Sequence, residues 1–109
     1  MGIQAFTKTG NSVTFLAAST APTAVQAAST TLGGNQYRII NAGTALVFMG
    51  VGVTASDASN NAVTITSSQA AIPILPGTDE ILTFTPNAYF TGVAASGTAV
   101  IYITPGDGA

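Results

Sequence analysis

The side chains able to do chemistry are few. The 109-residue sequence carries two cations, Lys8 and Arg38, and four carboxylates, Asp57, Asp79, Glu80 and Asp107. It has no histidine, cysteine or tryptophan, so imidazole bases, thiol nucleophiles, Cys/His zinc sites and disulfides are excluded by inventory. Asp79 and Glu80 are adjacent, but neighbours on a strand point to opposite faces and are badly placed to share a proton or flank one bond. They read as a solvated turn after Pro76-Gly77. Residues 57–61, Asp-Ala-Ser-Asn-Asn, offer one carboxylate among unevenly spaced oxygens, too little charge for a firm calcium site and better suited to a polar hairpin tip. No serine occupies a Gly-x-Ser-x-Gly elbow. Gly33-Gly34-Asn35 is too short to cradle a phosphate and leads into a strand, so it reads as a turn. Tyr37, Tyr89, Tyr102 and Phe90 could stack on a sugar ring in a carbohydrate-binding or adhesin module, with core or interface packing as the competing role. The expectation is a structural or binding protein, not an enzyme, with no cofactor and no metal.

The charge balance narrows the partners. A net charge of -2 with two cations cannot neutralise the several phosphates of a nucleic-acid site, and no basic cluster exists to dock on anionic lipid. Nucleic acid and membrane are therefore not expected partners. Residues 45–53 form the most apolar stretch, yet it is about half the length of a spanning helix and glycines interrupt it. Residues 1–8 show no basic region followed by an apolar run, so synthesis in the cytoplasm is expected. With 47% hydrophobic and 6% charged residues, the chain has little to keep a free surface apart from other protein, which favours an assembly subunit.

The elements that must position these groups are strands. No segment repeats apolar residues at helical spacing, while runs rich in Val, Ile, Thr, Phe and Tyr recur between Gly, Pro, Asn and Ser clusters. The pattern predicts strands at residues 3–7, 12–17, 23–27, 36–41, 45–53, 62–66, 70–75, 80–85, 89–95 and 98–104. Tight hairpins are expected at residues 8–11, 42–44 and 96–97, and type II turns at Pro76-Gly77 and Pro105-Gly106. Residues 19–35 read as an Ala/Ser/Thr-rich loop or arm crossing between sheets. The motif Gly-Thr-Ala-aliphatic-aliphatic-aromatic occurs at residues 43–48 and again at 97–102, as expected of two related Greek keys. The fold class is all-β, a two-sheet antiparallel sandwich forming one domain over residues 1–109.

Alternation puts Val13 with Phe15, Tyr37 with Ile39 and Leu82 with Phe84 on the core face. Two runs do not alternate. Leu46, Val47, Phe48, Met49 and Val51, then Val100, Ile101, Tyr102 and Ile103, are apolar on both faces, so something must cover each side. Phe48, Met49, Val51 and Tyr102 are therefore the expected protein interface. Arg38 joins them as a lone arginine that either anchors a partner carboxylate or pairs with Asp57, Asp79 or Glu80.

Residues 35–48, 72–80 and 102–108 together resemble small virion proteins of tailed bacteriophages, in particular the cement or decoration proteins of the capsid exterior. The likeness covers roughly the C-terminal two thirds of the chain; residues 19–31 have no counterpart in it. It implies a jelly-roll or similar sandwich, present as a dimer or trimer, that binds neighbouring subunits of the major capsid protein on the outside of the virion. A tail, baseplate or fibre-associated adaptor is the alternative within the same particle.

Overall fold

A computed structural model describes residues 6–29 and 35–107. Its strands are β1 (Thr7–Lys8), β2 (Val13–Ala17), β3 (Val25–Gln26), β4 (Gln36–Asn41), β5 (Val47–Gly52), β6 (Ile72–Ile74), β7 (Asp79–Thr83), β8 (Tyr89–Ala94) and β9 (Ala99–Asp107). One helix, α1 (Ala55–Asn61), lies between β5 and β6. The predicted strand over residues 3–5 and the turn at residues 33–34 lie outside the described residues.

Two antiparallel sheets form the sandwich. In the first, β9 is central, with β4 and then β7 on one side and β1 and β2 end to end on the other; the second runs β3-β8-β5-β6. The pairs β2·β9, β3·β8, β4·β7 and β5·β6 are those of one long hairpin folded at the β5–β6 link. Rolling that hairpin brings β9 against β4 and β8 against β5. This is a jelly roll, in which two Greek keys share a core.

The roll corrects the expected hairpins. The turns at residues 42–44 and 96–97 join strands of opposite sheets, and β1 and β2 lie along the same edge of β9 without pairing to each other. Turn chemistry fixes the backbone at the turn, while the partner of each strand is set by burial across the sandwich. Gly77 (φ 73°) and Gly97 (φ 64°) do take the left-handed conformation their turns require. Pro105-Gly106 is no turn: β9 continues through it, paired to both β1 and β4. A Cβ on Gly106 would collide with the Phe6 ring, so this glycine serves a close approach.

The core follows the alternation. Phe15, Tyr37, Ile39, Val47, Met49, Ile74, Phe90, Ile101 and Ile103 are buried in one cluster, with Leu82 and Phe84 against it. Tyr37 and Phe90 meet edge to face at 4.9 Å. Two polar side chains pin the sheet crossings. The fully buried Asn41 donates from Nδ2 to the carbonyls of Ala45 (3.0 Å) and Ile74 (3.1 Å), while its Oδ1 accepts from the Gly43 amide (3.0 Å). At the opposite end, the Tyr37 hydroxyl donates to the Thr85 carbonyl at 2.6 Å and accepts from the Ala88 amide at 3.1 Å.

Burial raises the Tyr37 pKa, opposed by its backbone hydrogen bonds. The neutral phenol is thus favoured more in the folded state, so its stabilisation is complete below the unfolded pKa of about 10. It is lost as pH rises through the folded value. Tyr37→Phe leaves the buried Ala88 amide unpaired and is expected to cost about 1–3 kcal/mol. Urea titrations from neutral to strongly alkaline pH check both effects: the variant starts lower and its alkaline decline is shallower.

Candidate protein interface

The outer face of the first sheet is built by the same alternation that fills the core. On β9, Ala99, Ile101 and Ile103 are buried, while Val100, Tyr102 and Thr104 point outward. The register sets Leu16 beside Val100, Thr14 beside Tyr102, Tyr102 beside Ile40 and Ile40 beside Asp79. Arg38 sits between Thr104 and Ile81. Leu16, Tyr102 and Ile81 are 51%, 45% and 41% exposed, and Val100 and Ile40 are half-buried between them. The result is an apolar stripe across four strands.

Polar groups near the stripe are paired within it. Thr14 Oγ1 donates to the Ile101 carbonyl at 2.9 Å, and the Ser12 and Thr104 hydroxyls lie 2.5 Å apart. Arg38 Nε donates to Asp79 Oδ1 at 2.9 Å and Nη2 to Oδ2 at 2.5 Å. The Arg38 hydrogen bond holds the Asp79 carboxyl below the usual range, and the same contact raises the guanidinium pKa. This fork closes one end of the stripe with zero net charge.

β5 behaves differently. Met49 is fully buried between the sheets, and Val51 packs against the same core. Phe48 faces outward but is buried with Ala71 and Val93, against Ala21, Leu46 and Ile65. The chain itself thus covers both sides of β5 at Phe48 and Met49, and Met49 offers no surface to a partner. The sequence pattern groups Phe48, Met49 and Val51 with Tyr102; the structure puts the first three in the second sheet and Tyr102 in the first.

The cover includes an element read from sequence as a polar tip and a strand. Residues 55–61 are helical, and residues 62–66 form no strand. Thr54 caps the helix by accepting from the Asp57 amide at 3.2 Å, and Asn61 Nδ2 donates to the Val51 carbonyl at 2.8 Å. Thr54-Ala55-Ser56-Asp57 has the Ser/Thr-x-x-acid spacing of a helix cap, but no apolar run follows it, so the sequence pattern alone does not announce a helix. At the end of β5, Val51, Val53, Ala70, Ile72, Phe84 and Thr85 line an open apolar groove of about 390 Å³.

The aromatic groups do not gather into a sugar platform. Tyr37 and Phe90 are in the core, Tyr89 is in the second sheet and Tyr102 is on the open face of the first. Among the described residues, no three acidic groups converge on a metal position, and no helix is long and apolar enough to cross a membrane. No protein-family model, curated protein or solved structure matches the chain.

Proposed function

We propose that this chain is a structural virion component, a decoration protein that binds the major capsid protein shell and stabilises it. The observation that carries the reading is the uncovered stripe of Leu16, Val100, Tyr102, Ile40 and Ile81. Together these make a contiguous apolar patch on a chain with few charged groups, which marks a surface meant for other protein. The resemblance of residues 35–48, 72–80 and 102–108 to capsid cement proteins supplies the kind of partner. Stabilisation would follow from linkage: a protein that binds the assembled shell and not its separated subunits favours assembly, multiplied over many copies.

The test mixes purified chain with phage capsids stripped of exterior proteins. Co-sedimentation and a raised shell melting temperature are expected, and electron microscopy of labelled particles should place the label on the head. Tyr102→Asp should weaken retention about tenfold or more with an unchanged circular dichroism spectrum. An unchanged shell melting temperature at saturating protein would overturn the reading, and a label confined to the tail would replace it with the adaptor role.

A further inference from the structure

We infer that the free edge of β7 takes up an extended strand of another protein, whose alternate apolar side chains reach the groove between the sheets and whose cation meets Glu80. This site goes beyond the decoration role and does not rest on it.

The hydrogen-bond parity of the first sheet defines the edge. β7 ends that sheet, with β4 as its neighbour. The Asn41 amide donates to the Thr78 carbonyl at 3.1 Å, and the Phe84 amide donates to the Asn35 carbonyl at 2.9 Å. Residues 78, 80, 82 and 84 therefore turn their backbone groups to β4, and the residues between them turn theirs away. Asp79, Ile81 and Thr83 present N–H and C=O groups along about 14 Å of edge, and among the described residues nothing bonds them. Such a row is a template for a further strand. The facing edge, β6, is not. The Ala95 amide donates to the Leu46 carbonyl, so Val47 and Met49 turn toward Ile74 and Ile72. That leaves Pro73, which has no N–H, as the outward residue of β6.

Side chains select the occupant. Glu80 lies opposite the buried Ile39 and Leu82 opposite the buried Tyr37, so both share the face of β7 that looks between the sheets. Phe84 continues that face and lines the groove of about 390 Å³ with Val51, Val53, Ala70 and Ile72. A strand added antiparallel to β7 sets one side chain beside each of the three. Those beside Phe84 and Leu82 are apolar, the first entering the groove. Arg38 engages Asp79, whereas Glu80 is exposed and no cation pairs with it among the described residues. The side chain beside Glu80 is therefore a lysine or arginine. From amino to carboxyl end the occupant reads apolar-x-apolar-x-cation.

A second β7 does not fit. Antiparallel pairing through Asp79, Ile81 and Thr83 sets Glu80 opposite another Glu80, opposite Leu82 or opposite Phe84. The first register opposes like charges, and the others press a carboxylate against the apolar mouth, where desolvation disfavours it. An inward-pointing charge of this kind keeps an edge from its own copies while favouring a strand that brings a cation.

The probe is the peptide acetyl-Thr-Leu-Thr-Val-Thr-Lys-Thr-amide, titrated into isotope-labelled chain and followed by proton–nitrogen correlation spectra. Saturable shifts are expected at the Asp79, Ile81 and Thr83 amides, with slowed hydrogen exchange there. Methylating the peptide nitrogen of the threonine between valine and lysine, which faces Ile81, should weaken binding about tenfold. Methylating the valine nitrogen, which faces away, should not. Replacing the peptide lysine by glutamate should weaken binding about fivefold, and Glu80→Lys should reverse that preference; a thermal melt confirms that this variant folds. The site is overturned by no saturable shift at those three amides, by equal effects of the two methylations, or by an unreversed preference in Glu80→Lys. It is also overturned if the chain without peptide sediments as a dimer with those amides already protected, since β7 would then be covered by a second copy. No capsid enters the titration, so its failure leaves the decoration role as it stands, and failure of capsid binding leaves this site untouched.

Discussion

Met49→Asp should leave the chain unfolded, whereas Tyr102→Asp should leave it folded and stripped of its partner. Met49 has no solvent exposure, and its strand pairs it with Gly92 of β8 on one side and Ile72 of β6 on the other. Removing the thioether chain costs about 2–5 kcal/mol for the cavity. Among the residues clustered with Met49, none is charged, so an ionised carboxylate there would have no counter-charge and its desolvation would add several kcal/mol more. A domain of this size has about 5–15 kcal/mol in total, and the two costs together consume most or all of it. Collapsed dispersion in a proton–nitrogen correlation spectrum is the expected readout. At Tyr102 the ring is nearly half exposed and its neighbours Thr14 and Ile40 lie on the same open face, so aspartate there remains hydrated. A well-dispersed Met49→Asp spectrum would place β5 at a surface and undo the distinction between the two doubly apolar strands.

That distinction marks the boundary of what local sequence conveys. Alternation identified the core faces at Val13 and Phe15, Tyr37 and Ile39, and Leu82 and Phe84, because period-two burial is written residue by residue. The glycines at 77 and 97 disclosed their turns, because a positive φ is a local demand. Strand partners were not legible: rolling a hairpin turns every short loop near 43 and 97 into a crossing between sheets. Nor was the covering of β5. It depends on Ala58, Ala62 and Ala71, small residues with no apolar stripe that arrive from a segment composed like a loop. β5 and β9 carry the same signature in sequence, and distant residues decide that one is sealed and the other open. Pro105-Gly106 shows the same override, where pairing on both sides of β9 outweighs a sequence suited to a turn. The open apolar stripe was therefore readable at Tyr102 as a strand position, but Leu16 and Ile81 joined it only through register. The bridging role of Asn41 was not legible, since the Ile74 carbonyl meets its side chain only in the folded roll, while its bonds to residues 43 and 45 are local.

The helix that seals β5 rests on glycine, and this yields the second large effect. A Cβ on Gly50 would collide with the carbonyl oxygen of Ala58 and the amide nitrogen and Cα of Ala62; one on Gly52 would meet Asp57 and the Ala58 amide. At Gly50 the obstacles are backbone atoms, which cannot rotate aside, so Gly50→Val must lift α1 from the sheet. A helix of seven residues lacks the length to persist in water without tertiary support, so lifting it should melt it. The bond from Asn61 to the Val51 carbonyl would then be lost. The expected cost is about 3 kcal/mol, the upper range for overpacking, which at about 4–8 °C per kcal/mol lowers Tm by at least about 12 °C. Hydrogen exchange separates this from the global failure at Met49: amides of residues 55–62 should lose protection while those of β4 and β9 keep theirs. Because α1 packs on β5 and β8, in the sheet behind the open stripe, the folded fraction of Gly50→Val should keep the capsid retention that depends on Tyr102. A variant that melts with the wild type would mean that α1 does not need the close approach, and the sealing of β5 would require another cause.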